Sequence, residues 1–127
     1  MTCSVTIVEH PTHLHVTVTG DNTPETLRTY TTEITQYCVR VQKMRVLVVV
    51  QLTGPELSML DVYKGVAAGS DNASGLGMRI AYVDANLEHS VDSMLLAEGV
   101  ARGRGIPVQT FRDVEDAQFW LLSEGSL

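Results

Sequence analysis

Residues 45–52, RVLVVVQL, constrain the fold more than any other stretch of the chain. Between Arg45 and Gln51 their side chains are apolar and mostly β-branched at consecutive positions. Successive side chains of a strand point to opposite faces of a sheet. A strand that is apolar on both faces needs cover on both, so 45–52 reads as a central strand inside a layered α/β domain. The run Val46–Val50 is the longest apolar stretch. It is far shorter than the roughly 20 residues that cross a bilayer as a helix.

The flanking sequence supplies the layers. Residues 3–9 alternate, with Cys3, Val5 and Ile7 against Ser4 and Thr6. Residues 13–19 alternate again, with Leu14, Val16 and Val18 against His13, His15, Thr17 and Thr19. The short break His10-Pro11-Thr12 joins them as an antiparallel hairpin. A loop at Gly20-Asp21-Asn22 leads to Thr23, which caps a helix over about 24–42, with Pro24 at its first position. Leu27, Tyr30, Ile34, Tyr37, Cys38 and Val41 form its apolar stripe. After the central strand, Ser58 with Asp61 resembles a capping box for a short helix with Leu60, Tyr63, Val66 and Ala67 inward. Residues 69–77, GSDNASGLG, read as a loop.

Residues 78–84 form the next strand, and Ser90 caps a third helix with Val91, Met94, Leu95, Val100 and Ala101 inward. Gly103 and Gly105 stop it. Residues 106–111 form the last strand, placed at an edge because Pro107 donates no ladder bond. Asp113 caps a final helix with Val114, Ala117, Trp120 and Leu121 buried. The order β-β-α-β-α-β-α-β-α requires a mainly parallel five-stranded sheet with right-handed crossovers and one antiparallel N-terminal strand. At 127 residues, the chain is expected to form a single domain over 1–127.

Composition narrows the partners. Fifteen acidic residues against nine basic ones give a net charge of -6, which disfavours a phosphate backbone, so no nucleic-acid partner is expected. Cys3 and Cys38 cannot build a disulfide framework, and neither belongs to a C-x-x-C pair. Both read as core residues of a reduced, cytoplasmic protein. The opening MTCSVTIVEH has no basic region ahead of an apolar one, so neither a secretory leader nor membrane insertion is expected.

No constellation specifies a reaction. Residues 69–77 leave a helix and enter a strand, the reverse of a phosphate-binding loop. His10, His13 and His15 read as a solvent-facing polar strand edge, so no metal is expected. Neither G-x-S-x-G nor S-x-x-K occurs, and Ser58 and Ser90 are explained as helix caps. The chain is therefore read as non-enzymatic and without a cofactor. An enzyme would need Ser58, Asp84 and His89 to converge. Ligands of open parallel sheets gather beyond the carboxyl ends of strands. That rim carries Gln51, Thr53, Glu56 and Ser58, then Asp84, Asn86, Glu88, His89 and Ser90, then Thr110 and Arg112. The candidate ligand or partner residues are Gln51, Thr53, Ser58, Asp84, Asn86 and His89.

The element order, with the phrases VLVVVQLTG, GMRIAYVDAN and LLAEGVARGRGIPVQTFRDVEDAQFWL, resembles the STAS fold and its bacterial SpoIIAA-like branch. The resemblance spans nearly the whole chain and rests on core and turn residues. It implies strands two to five in sequential order, with helices mainly on one face. It also implies a regulatory protein–protein interaction module with a protein partner. In the antagonist members, a serine opening the helix after the third strand is phosphorylated within D-S-x-G. Ser58 lies near that place but stands in Leu57-Ser58-Met59-Leu60-Asp61, without the preceding Asp or following Gly. The branch is related in fold to lipid-binding CRAL-TRIO domains, which implies a second function, binding of a small apolar ligand near Met59–Ala68. Helices on one face would leave the other apolar face to a second subunit, so a homodimer is expected.

Overall fold

The computed structural model describes residues 3–123. Residues 1–2 and 124–127 of the expected span lie outside the described residues. Strands β1 (Cys3–Glu9) and β2 (Leu14–Asp21) precede helix α1 (Pro24–Val41). Then follow β3 (Arg45–Thr53), α2 (Met59–Ala73), β4 (Arg79–Asp84), α3 (Val91–Gly103), β5 (Val108–Phe111) and α4 (Val114–Leu122). The sheet order is β1-β2-β3-β4-β5. Strand β1 is antiparallel to β2, and every other pairing is parallel. This is the α/β architecture expected from the sequence, with the Pro107-led strand at an edge.

Alternation in the central strands divides the core. Val46, Val48, Val50 and Leu52 face α1, α2 and α3, together with Leu14, Val16 and Val18 of β2. Leu47 and Val49 point the other way, with Ala81 and Val83 of β4, into Ala117 and Leu121 of α4. Helix α4 therefore closes the second face of β3 and β4 from within the same chain. The apolar surface that argued for a second subunit is covered by α4, which removes the reason for expecting a homodimer.

Several local readings change. Strand β2 runs on through Gly20 and Asp21, because these residues still pair with Leu52 and Thr53 of β3. Helix α2 does not stop at Gly69 but continues to Ala73, with Ser70 and Ala73 buried. Its inward stripe is Val62, Val66, Ala67, Ser70 and Ala73, while Leu60 and Tyr63 are exposed. In α3, Met94, Val100 and Ala101 are buried as expected, but Val91 and Leu95 are exposed. His13 is also buried rather than solvent-facing, its ring stacked on His10 at 4.8 Å between centroids.

The anticipated caps form. Thr23 Oγ1 accepts from the Thr26 N–H, Ser58 Oγ from the Asp61 N–H, and Ser90 Oγ from the Ser93 N–H. Each satisfies an amide that the first helical turn leaves free. Asp113 does the same for α4 through the Glu115 N–H.

Candidate functional site

The site begins with helix α2, whose backbone approaches α1 and α3 most closely while its Val66 and Ala73 join the core over β3. Its seam with α1 is glycine. A Cβ on Gly65 would stand 2.3 Å from Leu27 Cδ2, and one on Gly69 would stand 3.4 Å from Thr31 Cβ. The missing side chains let α2 press sideways onto α1. Beneath it, between the three helices and the sheet, lies a cavity of about 170 Å³.

Register defines the floor. Val48 of β3, Tyr82 of β4 and Thr110 of β5 lie in one row, and Val50 and Asp84 lie in the next toward the carboxyl edge. The walls are largely apolar, with Ile34 from α1, Val62 and Val66 from α2, and Met94 and Ala101 from α3. Tyr30 reaches in from α1, and its Oη lies 3.2 Å from Tyr82 Oη. Burial is the main cause pushing the Tyr30 phenol up to about 12, and burial likewise raises Tyr82.

The carboxyl edge is polar. Asp84 and His89 line the cavity and are both buried. His89 Nδ1–H donates to Asp84 Oδ2 at 2.9 Å. Asp84 Oδ1 accepts from the Asn86 N–H at 2.9 Å. Asn86 Nδ2 donates to the Leu52 carbonyl at 3.0 Å and lies 3.3 Å from His89 Nε2. The Gly54 carbonyl also lies 3.3 Å from Nε2. Neutral His89 therefore accepts from Asn86, whereas the protonated ring donates to Gly54. Burial pulls the His89 pKa down. The hydrogen bonds to Asp84 and Gly54, with the charges of Asp84 and Glu56, outweigh burial and leave it raised. Arg112 donates to the carbonyls of Asn86 and His89, holding the loop before α3.

Glu56 ties this loop to the one after β3. Its Oε1 accepts from the Ser90 and Ser93 hydroxyls, each at 2.9 Å. The Ser90 backbone and hydroxyl bonds, then Ser93, hold its carboxyl below the usual range. The rim is thus a connected set, but only part of the sequence-selected group belongs to it. Asp84, Asn86 and His89 meet at the cavity's polar end. Ser58 is exposed at the cap of α2. Gln51 and Thr53 are exposed on β3, at the alternating positions whose buried members, Leu47 and Val49, face α4. Ser58 takes no hydrogen bond from Asp84 or His89, so the three groups an enzyme would need do not form one linked set. His89 has Asp84 as its partner. Tyr30 and Tyr82 were assigned only to core and strand. Their pairing spans 52 positions and leaves no local sequence signal.

This architecture is a SpoIIAA-like fold. A solved structure that the chain resembles is an uncharacterised protein of the DUF3478 family with a SpoIIAA-like fold, from Shewanella loihica PV-4. The two are 17% identical, with 94% of this chain and 93% of that one covered and a TM-score of 0.55. At that identity the likeness shows the fold. No family model matches the chain, and no curated protein does. No helix among the described residues is long and apolar enough to cross a membrane.

Proposed function

We propose that this protein binds a small apolar molecule in the cavity beneath α2. The observation that carries the reading is the cavity itself, about 170 Å³ with largely apolar walls and one polar end. A dry engineered cavity of about 150 Å³ takes up benzene. A concave, largely apolar space with a few convergent polar groups is the usual form of a small-molecule site. The reading is tested by thermal unfolding with dissolved benzene. The wild-type Tm rises with benzene concentration, as mass action requires of a ligand bound by the folded state. Ala101→Leu, which fills space beside the cavity, blunts the rise. A wild-type Tm unchanged by benzene overturns the proposal.

A second reading, the regulatory interaction module, draws on the other side of the same edge. Ser58 is exposed, and so are Met59, Leu60 and Tyr63 beside it on α2 and Leu87, Val91 and Leu95 around the start of α3. A phosphate on Ser58 would sit at a helix N-terminus, where negative charge is favoured. In this reading Ser58→Glu changes capture of a specific protein partner from the native host relative to wild type. Equal capture by both proteins counts against it.

A further inference from the structure

We propose that the cavity recognises a neutral hydrogen-bond acceptor on its ligand, such as the carbonyl of a small ketone, ester or amide, through the paired hydroxyls of Tyr30 and Tyr82. This rests on the cavity being a binding site, and it names the chemistry the site selects.

The first argument is a count of hydrogens. Tyr30 is 3% exposed, and both tyrosines line the cavity. Their hydroxyls meet at 3.2 Å, and neither has a second hydrogen-bond partner among the described residues. Two hydroxyls carry two hydrogens, and the bond between them uses one. The other is a donor at the cavity, on buried Tyr30 or half-buried Tyr82, with no acceptor within the described residues. A carbonyl oxygen in the cavity satisfies it.

The second argument is charge. At the polar end Asp84 is paired with His89, Glu56 is exposed, and the nearby Arg112 guanidinium is spent on the Asn86 and His89 carbonyls. No Lys or Arg lines the cavity, so a carboxylate or phosphate finds no free cation there. A cation offers the free hydroxyl hydrogen no acceptor. At about 170 Å³ the space suits a monocyclic or short-chain molecule.

The test uses the full chain with three probes: cyclohexanone, methylcyclohexane of the same size, and hexanoate. Affinities are measured by NMR titration for wild type and for the double variant Tyr30→Phe/Tyr82→Phe. Removing both hydroxyls keeps the ring shapes and leaves no orphaned partner, so the variant folds. The expected result is a loss of about fivefold in cyclohexanone affinity, the usual worth of one neutral hydrogen bond. Methylcyclohexane affinity stays within about twofold of wild type by the same reasoning. The infrared carbonyl stretch of bound cyclohexanone, lowered by a donated hydrogen bond in wild type, returns toward its free value in the variant. Should the double variant lose its fold, the wild-type infrared stretch decides alone: a bound carbonyl no lower than in a hydrocarbon solvent overturns the assignment, because either single variant keeps one hydroxyl hydrogen free to donate. Equal losses for ketone and hydrocarbon, or none for either, overturn the hydroxyl assignment while leaving the cavity as a binding site. Hexanoate binding more tightly than cyclohexanone overturns the preference for a neutral ligand. Failure of all three probes to bind wild type overturns the cavity reading along with this one.

Discussion

The two faces of the sheet use the same strands and cover them differently. On one face the nine-residue helix α4 sets Ala117 and Leu121, each fully buried, against Leu47, Val49, Ala81 and Val83. Arg79 braces that layer, stacking on Trp120 at 4.0 Å and donating to the Trp120 carbonyl. On the other face three longer helices stand around the cavity, with α2 leaning chiefly on α1 and α3. Filling a face with apolar side chains serves stability alone. Leaning a helix chiefly on its neighbours gives up contact energy with the sheet and creates a place for something else.

The largest expected effect breaks the filled face. Leu121→Ala removes a fully buried side chain from a closed layer and lowers stability by roughly 2–5 kcal/mol in urea unfolding. The next sharpens the contrast with one substitution made twice. Ala117→Leu overpacks the α4 layer and costs roughly 1–3 kcal/mol. Ala101→Leu, at an alanine equally well buried but beside the cavity, has room to expand and costs less than Ala117→Leu. Equal costs at the two sites would mean that the faces are packed alike. A smaller effect comes from Gly65→Ala. The new methyl forces Leu27 to turn, and Leu27 borders the cavity. The gain in helix propensity, roughly 0.5–1 kcal/mol, offsets much of the crowding, so stability changes little. Benzene response falls instead, and it returns in the Leu27→Ala background, where the methyl has space.

The same contrast explains what could be read in advance. Strands were legible because a two-residue period, or its absence in Val46–Val50, records which faces are covered. Helices α1 and α4 were legible from apolar stripes and from the caps Thr23 and Asp113. Helix α2 was legible in its Ser58 cap but not in its length or its orientation, for three physical reasons. Its last residues, Gly69 to Asn72, have low helix propensity, and tertiary packing overrides it. Its seam with α1 is built from glycines, whose role is the side chain they lack. Its exposed Leu60 and Tyr63 look like core until the helix is rotated into place. A cavity is a volume left between elements, so it has no motif of its own. The polar end was half legible. The spacing Asp84, Asn86, His89 after an apolar strand placed those residues on one rim, but their mutual bonds depend on how the loop folds.

The smallest effect separates the cavity's polar end from the turn between β1 and β2 by pH. His89 has a raised folded-state pKa, because Asp84, Gly54 and Glu56 outweigh burial. Its contribution is fully present below the unfolded value of about 6.5 and is lost as pH rises through the higher folded value. His13 and His15 have lowered values, first through burial and then through the charge of His10, with His15 also acting on His13. Their sign is opposite. The unfolded chain takes up protons more readily, so stability falls as pH drops below about 6.5. Urea midpoints across about pH 5–8 therefore decline on both sides, for different reasons. His89→Asn flattens the alkaline limb and leaves the acid limb in place, while His15→Gln makes the acid limb shallower and leaves the alkaline limb in place. Loss of the acid limb in His89→Asn would mean that the ring is destabilised when charged, and the Asp84 bond could then not be the feature that holds the cavity's polar end.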